Sequence, residues 1–241
     1  MTGAAEAVIL AGGRGTRLHP YTALMPKPLV PVGDRAVLEW LLLHLRRHGI
    51  RSVILAVNHL RQLIQAYFGD GTALGLRIDY VVEDTPLGTA GPLALMLDRL
   101  APQVLVANGD LLTDTDIAAL LRRHAETGAD ATVAAMRRDH QVEYGVLDTA
   151  EDGALTAWRE KPRAQHLVSM GLNVLRRDAV AAHLRPGQAL DMPALLLAMA
   201  GAGGRVLVAP QDALWLDIGN PEDYARAQTL ATTSDSAPFR I

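Results

Sequence analysis

"AVILAGGRGTRLHPYTALMPKPLVPVG" occupies residues 7–33, and the reading of the whole chain turns on it. The apolar run AVILA (7–11) reads as a buried strand, and it stops on glycines 12, 13 and 15. Without Cβ atoms the backbone there can turn sharply and aim its N–H groups at a bulky anion, for which a polyphosphate is the natural candidate. Two familiar phosphate loops fail the comparison. The P-loop needs a Lys-Ser/Thr pair after its last glycine, and GGRGTRL has none; a dinucleotide fingerprint starting at Gly13 would need glycine where Leu18 stands. What remains is a glycine loop loaded with cations. Arg14 and Arg17 carry forked donors suited to phosphate oxygens. Lys27 follows, set between two prolines in MPKPL. A residue before proline is steered away from helix, so Met25 and Lys27 are expected to be extended and the strip carrying Lys27 stiff.

Working outward, apolar segments alternate with helical patterns. SVILAV (52–57), RIDYVVE (77–83), QVLVAN (103–108) and DATVAAMR (130–137) read as strands. AVLEWLLLHLRRHG (36–49), HLRQLIQAYFG (59–69), AGPLALMLDRL (90–100) and IAALLRRHAETG (117–128) read as helices, the first with Asp34 as cap and Gly49 as stop. Strand then helix, repeated, with strands apolar throughout, marks a parallel sheet covered on both faces. The second half is less regular. YGVLDT, ALTAWRE, LVSMGLNVL, RVLVAP and LWLDIG look like strands. LDMPALLLAMA (190–200) and PEDYARAQTL look helical, Pro193 fitting a first turn. The expected fold is α/β: a Rossmann-like three-layer sandwich with a mainly parallel mixed central sheet. One domain is expected over 1–230. Residues 231–241 read as a poorly ordered tail.

Composition removes several classes. Of 241 residues, 49% are hydrophobic, 20% are charged and the net charge is −3, which does not suit bulk binding of nucleic acid. There is no cysteine, so disulfides and thiolate metal sites are excluded. No apolar run approaches the ~18 residues of a membrane span, and the N-terminus lacks the basic region of a signal peptide. A cytoplasmic protein with no membrane partner is expected. The eight histidines do not cluster at ligand spacing; His44 and His48 lie i,i+4 on a leucine-rich helix and read as surface or core edge.

With these residues in view, the chain resembles the sugar-1-phosphate nucleotidylyltransferases, or NDP-sugar pyrophosphorylases. Their signature is a strand, then G-G-x-G-T-R-L, P-x-T and P-K-P, which residues 10–31 match almost position for position. The resemblance continues at PLGTAG (86–91), NGD (108–110), EKP (160–162) and WLDIGNPEDY (215–224) and covers nearly the whole chain. It is closest in motif to the branch making GDP-mannose and GDP-heptose. It implies transfer of a nucleotidyl group from an NTP to a sugar 1-phosphate with Mg²⁺. Leu10, Ala11, Gly12, Gly13, Arg14, Gly15 and Thr16 would then hold the nucleotide, with Pro86, Gly88, Thr89, Asn108 and Gly109. Arg17, Lys27, Asp110 and Asp217 would be catalytic, the two aspartates carrying the metal. Gly145, Glu160, Lys161, Ser169, Gly171 and Asn173 would face the sugar phosphate.

Members using dTTP or UTP often show a glutamine shortly before the base-wall glycine. None lies between Tyr80 and Gly91. Glu83 can instead accept from the adjacent N1–H and N2–H₂ of guanine, which favours GTP; UTP, dTTP, CTP or ATP are the alternatives. Many members carry Asn two residues before the second sugar-side glycine and an aromatic two after it; Ser169 and Asn173 stand there and leave the sugar unspecified. A catalytically silent nucleotide sensor would be expected to lose some of Arg17, Lys27, Asp110, Lys161 and Asp217, and all five are present. No hexapeptide repeat announces a C-terminal β-helix. A homodimer is suggested by fold analogy alone.

Overall fold

The computed structural model describes residues 5–13, 15, 18 and 21–232. A seven-stranded sheet forms the middle layer. Its strands are β1 (Ala5–Leu10), β4 (Ser52–Val57), β5 (Arg77–Val82), β6 (Leu100–Asn108), β8 (Ala131–Gln141), β11 (Arg163–Arg176) and β12 (Val206–Gln211). The order is β12-β8-β11-β6-β1-β4-β5. Every neighbouring pair is parallel except the two made by β11, which runs against both β6 and β8. The sheet is therefore parallel but for one strand.

Alternation along the strands explains the layers. In β4, Val53, Leu55 and Val57 join one buried cluster, and Ile54 and Ala56 join the other. The first face is covered by α1 (Val37–Arg47), α2 (Arg61–Phe68) and α3 (Ile117–Thr127) through residues such as Leu42, Ile64 and Leu120. The second is covered by α4 (Arg177–Ala181) and α5 (Met192–Gly201) through Val180 and Leu195. Each such side chain, taken out of water, contributes about 1.5–3 kcal/mol before chain entropy is counted. A third, smaller core gathers Val30, Val37, Leu112, Leu216 and Ala227. It joins the hairpin β2 (Pro31–Val32) and β3 (Arg35–Ala36) to β7 (Leu111–Thr113), β13 (Trp215–Asp217) and α6 (Pro221–Thr232). A last hairpin, β9 (Val146–Thr149) with β10 (Leu155–Arg159), pairs antiparallel on its own.

Three local expectations change. Residues 90–100 do not form an α-helix: they make 3-10 turns at Gly91–Leu95 and Leu97–Arg99 and then enter β6. The N–H groups of Ala90 and Gly91 both donate to the Leu190 carbonyl, at 2.8 and 3.0 Å, so tertiary bonds claim the backbone that propensity assigned to a helix. Asp34 does not cap α1. It lies in the β2–β3 turn, the helix begins after Ala36, and Val37 N–H donates to Val30 O at 3.0 Å. Lys27 opens a 3-10 turn, Lys27–Leu29, in place of an extended strip; Leu29 and Val30 N–H close it on the carbonyls of Pro26 and Lys27. Gly49 does stop α1, in a left-handed conformation with φ 93°. No helix among the described residues is long and apolar enough to cross a membrane. Of the expected tail, Ala231 and Thr232 instead close α6, and 233–241 lie outside the described residues.

Candidate active site

The sheet sends four neighbouring parallel strands, β6, β1, β4 and β5, toward one edge, and a cavity of about 320 Å³ opens where they end. Leu10, Gly12 and Gly13 reach it from β1, Asn58 from β4, and Asn108 and Asp110 from β6. Glu83 follows β5 and leads into the loop that adds Pro86, Gly88 and Thr89. A smaller cavity of about 50 Å³ adjoins along Leu10, Gly13 and Asp110, and is closed by Ala11, Lys27 and Gly109. Ala11 N–H donates to Ala56 O at 2.8 Å and Gly109 N–H to Leu10 O at 2.9 Å, which holds both strand exits in place. The Thr22 hydroxyl donates to the Gly15 carbonyl at 2.8 Å and ties the glycine loop to the turn that follows. Arg14, Thr16 and Arg17 lie outside the described residues.

Glu83 is 7% exposed. Its Oε2 accepts from Leu87 N–H at 3.1 Å, and a Cβ on Gly12 would stand 3.1 Å from its Oε1. Burial raises its pKa and the Leu87 bond pulls the other way, so this carboxylate is harder to ionise than a surface one. Gly88 has φ 76°, and a Cβ there would meet the Leu190 carbonyl oxygen at 2.6 Å; the backbone of 190 needs this position bare. The Thr89 hydroxyl accepts from Met192 N–H at 2.7 Å and faces Asp191 Oδ1 at 3.4 Å. It serves the start of α5, while Asp191 accepts from Thr89 N–H at 3.1 Å. The sequence reading missed Asn58 and Asp191. Asp191-Met-Pro is a readable helix start, and Asn58 is the first residue past a strand; neither position by itself announces a ligand.

The charged centre lies beside the cavity. Lys27 is 7% exposed, and its ammonium contacts the Asp110 carboxylate and lies 3.5 Å from Asp217 Oδ1. Asp110 follows β6; Asp217 ends β13. The antiparallel pairing of β13 with β7 sets Asp217 opposite Leu111, and Ile218 N–H donates to Asp110 O at 3.0 Å. Residues more than a hundred positions apart thus present two carboxylates to a single cationic point. Hard oxygen donors converging on one point suit a divalent cation that takes its other ligands from phosphate and water. Among the described residues no group of three or more His, Asp or Glu side chains could hold a metal. His44 Nε2 instead donates to Thr115 O at 2.8 Å, and burial lowers its pKa.

The sugar-side positions fall in two places. Gly171, in β11 with φ 68°, faces the cavity residue Asn108: a Cβ would meet Asn108 Nδ2 at 2.6 Å. Ser169 Oγ accepts from Gly171 N–H at 3.4 Å. Asn173 is 5% exposed and sits opposite Val106 and Val133, and among the described residues its buried Oδ1 has no hydrogen-bond partner. Gly145, Glu160 and Lys161 gather instead about the β9–β10 hairpin. The backbone of Gly145 lies against the Trp158 indole, where a Cβ would come within 2.8 Å, and the indole N–H donates to Glu160 Oε2 at 3.2 Å. Lys161 has φ 43°, a costly conformation for a residue with a side chain, and its ammonium lies 3.9 Å from Glu143.

Open α/β sheets bind ligands outside the carboxyl ends of their strands, and the cavity sits there; fold and site together define an open-sheet α/β protein with a ligand-sized cavity at its strand ends. The family model described as "Nucleotidyl transferase" matches residues 6–234, and the chain belongs to that family. A relative is the mannose-1-phosphate guanylyltransferase of Mycobacterium tuberculosis, 35% identical over 231 residues, covering 92% of this chain and 63% of the relative. Another is the UTP–glucose-1-phosphate uridylyltransferase of Synechocystis sp., 32% identical over 241 residues, covering 92% and 62%. The chain therefore spans less than two thirds of the length of these curated relatives. Among solved structures, HddC from Yersinia pseudotuberculosis superposes with a TM-score of 0.72 at 25% identity, over 92% of this chain and 97% of that one.

Proposed function

We propose that the chain transfers a nucleotidyl group from an NTP, with GTP favoured, to a sugar 1-phosphate, giving an NDP-sugar and pyrophosphate. The single observation that carries this is the convergence of Lys27, Asp110 and Asp217 at the edge of a strand-end cavity floored by glycines. The relatives named for guanylyl and uridylyl transfer to hexose 1-phosphates support it. A phosphate oxygen of the sugar 1-phosphate attacks the α-phosphorus, and the bond to the β-phosphate breaks. The nucleophile is already an anion, so no strong base is required.

The difficulty is repulsion between a triphosphate of about −4 and an acceptor of about −2 at neutral pH. Alignment and positive charge must supply the catalysis. Asp110 and Asp217 would hold Mg²⁺, which when bound supplies the cation that neutralises phosphate charge. Lys27 adds a desolvated ammonium at the reacting phosphate, and Arg14 and Arg17 grip the triphosphate. Glu83 reads the base: its ionised carboxylate accepts the paired donors of guanine. Residues up to about 115 hold the nucleotide. Beyond them Glu160, Lys161 and Gly171 receive the sugar phosphate, and the reaction belongs in the cytoplasm, where triphosphates are plentiful.

Pyrophosphate release, measured with Mg²⁺ across five NTPs and a panel of sugar 1-phosphates, tests the proposal. Release with one GTP–sugar pair is the expected result. Binding of nucleotide with no release from any pair would replace the enzyme with a sensor.

A further inference from the structure

Asp223 is a buried acid that the reaction above does not use. It lies in the first turn of α6, 8% exposed, where an acid ordinarily serves the positive end of the helix. In a capping box such a residue would reach back to the N–H just before the helix. That N–H, on Asn220, is already taken by the Asp217 carbonyl at 2.9 Å. Asp223 reaches further, and its Oδ2 accepts from the N–H of Asp217 itself at 3.1 Å. Gly219 N–H donates to Asp217 Oδ1 at 2.8 Å. The N–H, carbonyl and carboxylate of Asp217 are thus all held by the turn into α6.

A buried carboxylate needs a counter-charge. Arg138, far along β8, donates from Nη2 to Asp223 Oδ2 at 3.4 Å and lays its guanidinium 4.9 Å from the centre of the Trp215 ring. Trp215 in turn donates from its indole N–H to the Met170 carbonyl at 2.8 Å, one residue before Gly171. The bracket joins α6, β8, β11 and β13 around a single acid.

We propose that Asp223 is a positioning residue for Asp217, and that Arg138, braced on Trp215, holds it in that role. Acids behind a metal ligand fix its orientation, and their loss commonly costs ~10–100-fold in metal affinity. The inference rests on Asp217 facing the metal, so the experiment tests that first. Mn²⁺ is titrated into the protein with GTP, without acceptor, and bound metal is read by electron paramagnetic resonance. Asp217→Asn is expected to weaken Mn²⁺ at least tenfold; unchanged affinity there would remove the metal reading of Asp217 and this proposal with it. Given that loss, Asp223→Ala is expected to weaken Mn²⁺ about tenfold, Asp223→Asn, which keeps an acceptor for the Asp217 N–H, to restore most of it, and Arg138→Met to cost severalfold. Glu222→Gln removes the neighbouring acid of the same helix turn and should leave Mn²⁺ affinity alone. If Asp223→Ala and Arg138→Met both bind Mn²⁺ as the wild type does while Asp217→Asn does not, Asp223 is only a helix-end acid. Should Asp223→Ala fail to fold, Arg138→Met decides: wild-type Mn²⁺ affinity in that variant, beside the loss in Asp217→Asn, overturns the bracket.

Discussion

Lys27 shows what one residue does here. Its ammonium balances two carboxylates while nearly out of water, a position where a positive charge acts strongly on a phosphate. Lys27→Ala is expected to lower kcat by about 10²–10³-fold, the scale for removing one preorganised donor. Single-turnover kinetics with saturating Mg²⁺ measures it, and turnover near wild type would take Lys27 out of the reaction. Glu83 gives a second prediction. Its pKa is raised by burial, so its ionisation costs the fold stability that is present below the ordinary glutamate value of 4.5 and lost as pH rises through the native one. Glu83→Gln removes that loss. Melting curves should coincide in acid and separate toward neutral pH, the variant melting higher. In the same variant, preference for GTP over UTP should fall if the carboxylate reads guanine.

At the scale of elements, the pairing of β7 with β13 matters most. Neither the three-residue β7 nor its register with Trp215–Asp217 has a periodic signal, yet this ladder is what brings Asp110 and Asp217 together. β11 matters next: its register against β8 shifts between Ser169 and Asn173, and Gly171 sits in that shift with Asn108 where its side chain would be. Gly171→Ala should cost about 1–3 kcal/mol for the left-handed backbone and displace Asn108 as well. Gly153, with φ 82° and open space about it, carries the strain without the collision. Both variants should melt lower, and only Gly171→Ala should lose nucleotide affinity, as calorimetry can show. Strand β1 and the bare glycines after it, by contrast, were readable, because they are adjacent in the chain, while the 3-10 turn at Lys27 was not. Asp191 and Asp223 were not, because Thr89 and Arg138, which bind them, lie far away in sequence.

Across the whole molecule, stability is tied to buried polar links between layers. His124, 3% exposed, joins α3 to β8 through Thr132 at 2.9 Å, and His44 joins α1 to the Thr115 carbonyl. Burial lowers the pKa of both. The stability they add is whole above the ordinary histidine value of 6.5 and is withdrawn as pH falls through the lowered native values. Urea unfolding from pH 7.5 downward should show this decline in the range below ~6.5, and His124→Gln should flatten it. A slope unchanged in the variant would assign the decline elsewhere.

The order of strands and helices and their two-faced burial follow from the sequence by itself, because periodicity and adjacency are written locally. The tertiary structure decided what depends on register and distance. It placed β11 against its neighbours, turned 90–100 into 3-10 turns and gave the Thr89 hydroxyl to α5. It also brought Lys27, Asp110 and Asp217 to one point. Such contacts follow from closing loops of a hundred residues, and no window of sequence contains both ends.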